Sequence, residues 1–152
     1  MTPEERLAAL GLTIPEVTPP VAAYVPAVRT GSYVYTSGQL PMRDGELMHT
    51  GKVGSEVSPD EANECARQCA LNALAAVRTQ VGDLSAVTRV VKVVGFVASA
   101  PGFTAQPQVV NGASELLGQA FGDAGQHARS AVGVPVLPLD APVEVELVVE
   151  VG

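Results

Sequence analysis

Two ionisable side chains near the C-terminus carry most of the chemical information in this chain. Ala128-Arg129-Ser130-Ala131-Val132 sets an arginine at the head of an apolar, strand-like segment, and Val143-Glu144-Val145-Glu146 sets a glutamate on the strand-like segment that follows. A guanidinium is costly to bury without an anion, and its planar fork grips a carboxylate through two parallel hydrogen bonds. A carboxylate nearby can handle a water molecule or a proton. Two readings stay open at this point: a structural ion pair between Arg129 and Glu144, or a cation held ready for a small organic acid.

Capping signals and periodicity define the elements that must position these residues. Thr2-Pro3-Glu4-Glu5 and Ser58-Pro59-Asp60-Glu61 are capping boxes with proline at the first helical position, and they predict a short helix ending at Gly11 and a long one ending at Gly82. Ala62, Cys65, Ala66, Cys69, Ala73, Leu74 and Val77 recur at three- and four-residue spacing, which gives the long helix one apolar stripe. Val109, Val110, Ala113, Leu116, Leu117 and Phe121 form a second such stripe and predict a helix over 107–121. Strands are expected over 24–29 and 33–37 about a Gly31-Ser32 turn, then over 87–97, 130–136 and 143–151. The four prolines within 13–26 predict an extended arm, so the chain divides into an N-terminal helix and arm (1–20) and a main domain (21–152).

Each main helix has one stripe to cover, and the order of elements is two strands, helix, strand, helix, two strands. An α+β fold follows, a mixed sheet with two helices packed on one face. Along 143–151 the odd positions are Val or Leu, whereas Glu144, Glu146, Val148 and Glu150 point the other way. The second face of the sheet must therefore meet water or another subunit.

Composition narrows the classes of partner. The 152 residues are 47% hydrophobic and only 16% charged, with a net charge of −7. Two lysines and seven arginines, scattered along the chain, oppose nucleic-acid binding, which rests on phosphate neutralisation. No apolar run reaches the roughly 18 residues of a membrane span. The acidic start lacks the basic region of a secretion signal, which makes the cytoplasm the expected location. Cys65 and Cys69 lie four apart on the long helix and read as buried structural thiols, because a metal pair would need further ligands and His49 and His127 are the only histidines.

Tyr24-Val25, Thr36-Ser37-Gly38-Gln39-Leu40-Pro41, Ala128-Arg129-Ser130, Leu137-Pro138 and Val143-Glu144-Val145-Glu146, in that order and spacing, resemble the RidA/YjgF/UK114 family. The resemblance runs from about Tyr24 to the end. It implies a chorismate-mutase-like fold, a homotrimer with ligand clefts between subunits, and hydrolysis of reactive enamines or imines to 2-oxo acids and ammonia without a cofactor or metal. By position, Arg129 matches the arginine that binds the substrate carboxylate and Glu144 the glutamate that positions water. Tyr24, Ser37, Gly38 and Asn111 match residues of the cleft.

Ala131 stands where the family commonly has cysteine, so it keeps a backbone contact and loses the thiol. With the N-terminal extension and a longer loop over 101–108, this makes the chain resemble a longer branch of the family. An alternative function stays open, a non-catalytic small-carboxylate-binding or regulatory protein using the same cleft. The older nucleolytic label of the family conflicts with the acidic charge, and chorismate mutase chemistry would call for more cations than Arg129. His127 reads as a surface or interface residue.

Overall fold

Val or Leu occupies every second position over Val143–Val151, and the structure turns that period into a strand of unbroken buried/half-buried alternation in the middle of a five-stranded sheet. The computed structural model describes residues 1–17 and 22–152. In chain order the helices are α1 (Pro3–Ala9), α2 (Pro59–Val81) and α3 (Gln106–Phe121). The strands are β1 (Ala27–Thr30), β2 (Tyr33–Thr36), β3 (Met42–Arg43), β4 (Glu46–Leu47), β5 (Val87–Ala98), β6 (Ala128–Val134) and β7 (Val143–Val151). The main sheet runs β1-β2-β7-β5-β6, antiparallel except for the parallel pair β5–β6, while β3 and β4 form a separate hairpin.

Both capping boxes form as expected. Thr2 and Ser58 each accept from the third residue of their helix, whose glutamate bonds back to the cap. The small residues of α2 then let α3 approach closely. An added Cβ at Gly112 would run into the backbone carbonyl of Asn63, so only glycine fits that crossing. Every residue of the two predicted helical stripes is buried, Cys65 and Cys69 among them, and both thiols are free. Burial, with Glu61 and Glu64 as lesser causes, pushes the Cys65 thiol up to about 12, and burial pushes Cys69 up as well, so neither supplies a thiolate near neutral pH.

Several boundaries differ from the expectation by one to three residues. Tyr24 and Val25 precede β1 instead of belonging to it, because Pro26 has no N–H for the ladder and strand pairing starts at Ala27. Strand β6 starts at Ala128 and ends at Val134, just before Pro135. Helix α3 begins at Gln106, so part of the segment expected as loop over 101–108 is helical.

Helix α1 packs on α3, and its Leu7 is fully buried in the common core. Leu12, Ile14 and Val17 lie against the same core, which ties this part of the arm to the domain. The remainder of the arm, with the boundary expected at 20/21, falls partly on residues 18–21, outside the described residues.

The sheet has one covered face. Val143, Val145, Leu147, Val149 and Val151 are buried under α2 and α3, as are Val93 and Val97 of β5. On the opposite face Val28, Tyr35 and Val148 stand in register across β1, β2 and β7, and Val28 and Tyr35 are about half exposed.

Candidate functional site

Strand β6 lies at the edge of the sheet, and its register with β5 decides where Arg129 points. Val93 pairs with Arg129 and Gly95 with Ala131. Val93 faces the helices, so Arg129 and Ala131 do too. Helix α3 crosses there and presents Asn111 and Ser114, one helical turn apart. Arg129 donates from Nη1 to Asn111 Oδ1 at 2.8 Å and to Ser114 Oγ at 3.3 Å.

Both acceptors are neutral, and both use the same guanidinium nitrogen. Nε and Nη2 of Arg129, the side-on pair that engages a carboxylate, make no hydrogen bond among the described residues. Nor does any carboxylate among them neutralise the charge. The close acid–base pairs there are His49–Glu61 and Lys52–Asp140. Of the two readings left open for Arg129, the ion pair with Glu144 is not formed.

The reason lies in the topology. Glu144 was expected on a strand neighbouring that of Arg129, but β5 runs between β6 and β7. Glu144 pairs with Phe96, one residue out of phase with the inward-facing Val97, so it projects from the face opposite to Arg129. Its surroundings are built by the segment after β2. Gln39 and Val145 exchange backbone hydrogen bonds at 2.8 and 3.0 Å, and the buried Asn72 amide holds Leu40 and Met42 by their carbonyls at 3.0 Å.

Gly38 is thereby laid against the Glu144 side chain, where an added Cβ would stand 2.8 Å from the carboxyl carbon. Ser37 beside it donates from Oγ to the Val25 carbonyl at 2.6 Å, which fastens the segment that carries the exposed Tyr24. Partial burial, with the Glu146 charge as a lesser cause, holds the Glu144 carboxyl above the usual range for glutamate.

The seven residues singled out from sequence thus fall into two groups within one protomer. Arg129, Asn111 and Ala131 sit on the helix-covered face at the β6 edge. Glu144, Gly38, Ser37 and Tyr24 sit around the opposite face, at the connection that follows β2. A cavity of about 790 Å³ between the arm, the β3–β4 hairpin and α2, lined among others by Leu12, Val17, Arg43, Leu71 and Asn72, borders neither group.

Two further polar residues stand behind Arg129: Ser114, which the sequence did not single out, and His127, which read as a surface or interface residue and is instead partly buried. Ser114 binds the guanidinium directly, and His127 Nε2 lies 2.9 Å from Ser114 Oγ. The signals were present: Ser114 follows Asn111 by three on a helix, and His127 precedes Arg129 by two on an extended segment.

The model of the family described as "YjgF/chorismate mutase-like, putative endoribonuclease" matches residues 4–151. The chain belongs to the YjgF/RidA family. Protein TCP17 of Trypanosoma cruzi is 43% identical over 148 residues, covering 97% of this chain and 92% of that protein. The crystal structure of Atu1372 from Agrobacterium tumefaciens superposes with a TM-score of 0.93 at 45% identity, covering 99% of this chain and 94% of that one. A protein of Shewanella oneidensis MR-1 superposes with a TM-score of 0.96 at 35% identity, covering 99% and 100%. The α+β fold with its mixed sheet and three helices is that of the YjgF/RidA family. No helix among the described residues is long and apolar enough to cross a membrane.

Proposed function

We propose that the chain hydrolyses 2-imino or 2-enamino acids to 2-oxo acids and ammonia, at a site assembled between copies of itself. One copy supplies Arg129, Asn111 and Ala131, and the next supplies Glu144, Gly38, Ser37 and Tyr24. The observation that carries this reading is the guanidinium of Arg129, held by two neutral acceptors with its carboxylate-binding edge unused among the described residues. A cation kept oriented and uncompensated is suited to an incoming small acid. Family membership supports a small-molecule-binding or deaminase-type role.

The chemistry asks little of the protein. Arg129 takes the carboxylate and sets the plane of the C=N bond. Glu144 accepts a proton from water as the water oxygen bonds to the imine carbon, and passes it to the nitrogen. The hydroxyl proton of the resulting carbinolamine follows to the nitrogen as the C–N bond breaks, which gives the 2-oxo acid and ammonia. A carboxylate with a raised proton affinity is a better base for that step, and such assistance is typically worth about 10²–10⁴ in rate. The same site without water activation is a carboxylate-binding protein, and Ala131, where the family commonly has cysteine, keeps that second reading in play.

Assembly as a homotrimer is part of the proposal. Its support is the sheet face on which Val28, Tyr35 and Val148 form a row with no layer over them among the described residues, together with the exposed Val132. The family description includes the word endoribonuclease, but a chain with 16 acidic and nine basic residues is poorly made for a phosphate backbone. We place the protein in the cytoplasm, where enzymes that use pyridoxal phosphate release such imines.

The decisive experiment supplies 2-iminobutyrate from a threonine dehydratase and follows 2-oxobutyrate. Acceleration over buffer, lost in Arg129→Ala, supports the deaminase. A rate equal to buffer while 2-oxobutyrate still binds leaves only the binding role.

A further inference from the structure

Behind Arg129 runs a chain of hydrogen bonds whose direction follows from the atoms involved. His127 Nδ1 lies 2.6 Å from the Gly125 carbonyl oxygen, which can only accept, so Nδ1 carries a hydrogen. In the neutral imidazole Nε2 is then an acceptor, and its partner at 2.9 Å, Ser114 Oγ, must donate. The serine hydrogen is thus drawn away from the guanidinium, and an oxygen lone pair is left facing Arg129 Nη1 at 3.3 Å. Gly125 is itself buried and immobilised against α3, where an added Cβ would stand 2.9 Å from the Leu117 carbonyl carbon. The relay therefore starts from a fixed point of the backbone.

We propose that His127 is a positioning residue for the carboxylate site, acting through Ser114 to hold Arg129 Nη1 so that the Nε/Nη2 edge faces the incoming acid. This rests on the reading of Arg129 as the anchor of the substrate carboxylate. Asn111 alone would leave the guanidinium one tether about which to turn, whereas Asn111 and Ser114 together fix its plane. The histidine makes that second tether directional. Without it the Ser114 hydroxyl is a free rotor, and only the 3.3 Å contact with Nη1 orients its lone pairs.

The test has two arms on the full chain. In ¹⁵N NMR of the ligand-free protein, wild-type His127 should show the Nδ1–H tautomer, and the Nη nitrogens of Arg129 should give separate signals through hindered rotation. His127→Ala should merge those signals and weaken 2-oxobutyrate binding by about three- to tenfold, the loss of one hydrogen bond. His127→Gln, with an amide oxygen in place of Nε2, should restore both.

Ser114→Ala should match His127→Ala, and the double variant should lose no more than either, because the two residues act in series. An Nε2–H tautomer in the wild type, affinity in His127→Ala within a factor of two of wild type, or losses that add in the double variant would overturn the proposal. Should the wild type neither bind 2-oxobutyrate nor accelerate its formation from 2-iminobutyrate, the functional reading fails, and the Arg129 signals decide the positioning role by themselves. Merging in His127→Ala with rescue by His127→Gln supports it, and unchanged signals refute it.

Discussion

Arg129 and Glu144 project from opposite faces of one sheet, with β5 running between their strands. Adjacent strands lie about 4.7–4.9 Å apart, so the two residues are separated by two strand spacings as well as by the sheet itself. A small acid held by Arg129 cannot reach Glu144 of the same protomer. If both act on one substrate, each site needs two copies of the chain.

That requirement predicts subunit complementation. Arg129→Ala and Glu144→Gln should each be inactive alone. Unfolded together and refolded as mixed oligomers, they should recover a measurable fraction of wild-type turnover, because some interfaces then join an intact arginine to an intact glutamate. Activity that stays at the level of the separate variants after verified mixing would place both residues in one protomer's site, or one of them outside it.

Arg129→Lys should bind 2-oxobutyrate at least tenfold more weakly than wild type despite keeping the charge. An ammonium cannot donate at once to Asn111, to Ser114 and through a side-on pair to the ligand, and charge-assisted hydrogen bonds contribute about 1.5–3 kcal/mol each. Titration calorimetry gives the comparison, and equal affinities would show that charge alone suffices.

The raised proton affinity of Glu144 carries a sign for stability. A carboxyl whose folded-state pKa exceeds its unfolded value favours the fold fully below the unfolded pKa of about 4.3. That contribution is lost as pH rises through the folded value. Glu144→Gln removes the titration, so its melting temperature relative to wild type should rise as pH increases from about 4 and then level off. Melts recorded from pH 4 to 8 test this, and a difference that shrinks with rising pH contradicts it.

Two glycines of α3 should respond in opposite directions to alanine. Gly112→Ala drives a methyl into the Asn63 carbonyl of α2 and should cost about 1–3 kcal/mol, lowering Tm by roughly 2–12 °C. Gly118 has open space where its Cβ would be, in an exposed helical position, and Gly118→Ala should gain about 0.5–1 kcal/mol. Thermal denaturation of both variants is sufficient, and equal shifts would contradict the close crossing of α2 and α3.

What could be read from the chain, and what could not, follows the range of the forces involved. The capping boxes at Thr2 and Ser58 and the alternation along β7 are local, so they appear in the sequence and the structure alike. Tyr24-Val25 is as strand-like as Ala27-Val28, and only the missing N–H of Pro26 sets the boundary between them. The separation of Arg129 from Glu144 has no local signature, because it depends on β5 entering between strands that succeed one another in the chain. Ser114 went unnoticed, and His127 read as a surface or interface residue, for a similar reason. Each is unremarkable until α3 and β6 are brought together.

The strand bearing Arg129 is linked to β5 through α3, which packs on α2 through the narrow gap at Gly112. The two acceptors that hold its guanidinium are both on α3, so they are in place only when that helix lies over the β6 edge. Newly made or heat-damaged protein would present a loosely tethered guanidinium, and competence for ligand should return only after the helical layer has closed. On the proposed role of Arg129, recovery of carboxylate affinity during refolding would report the docking of α3 over β6.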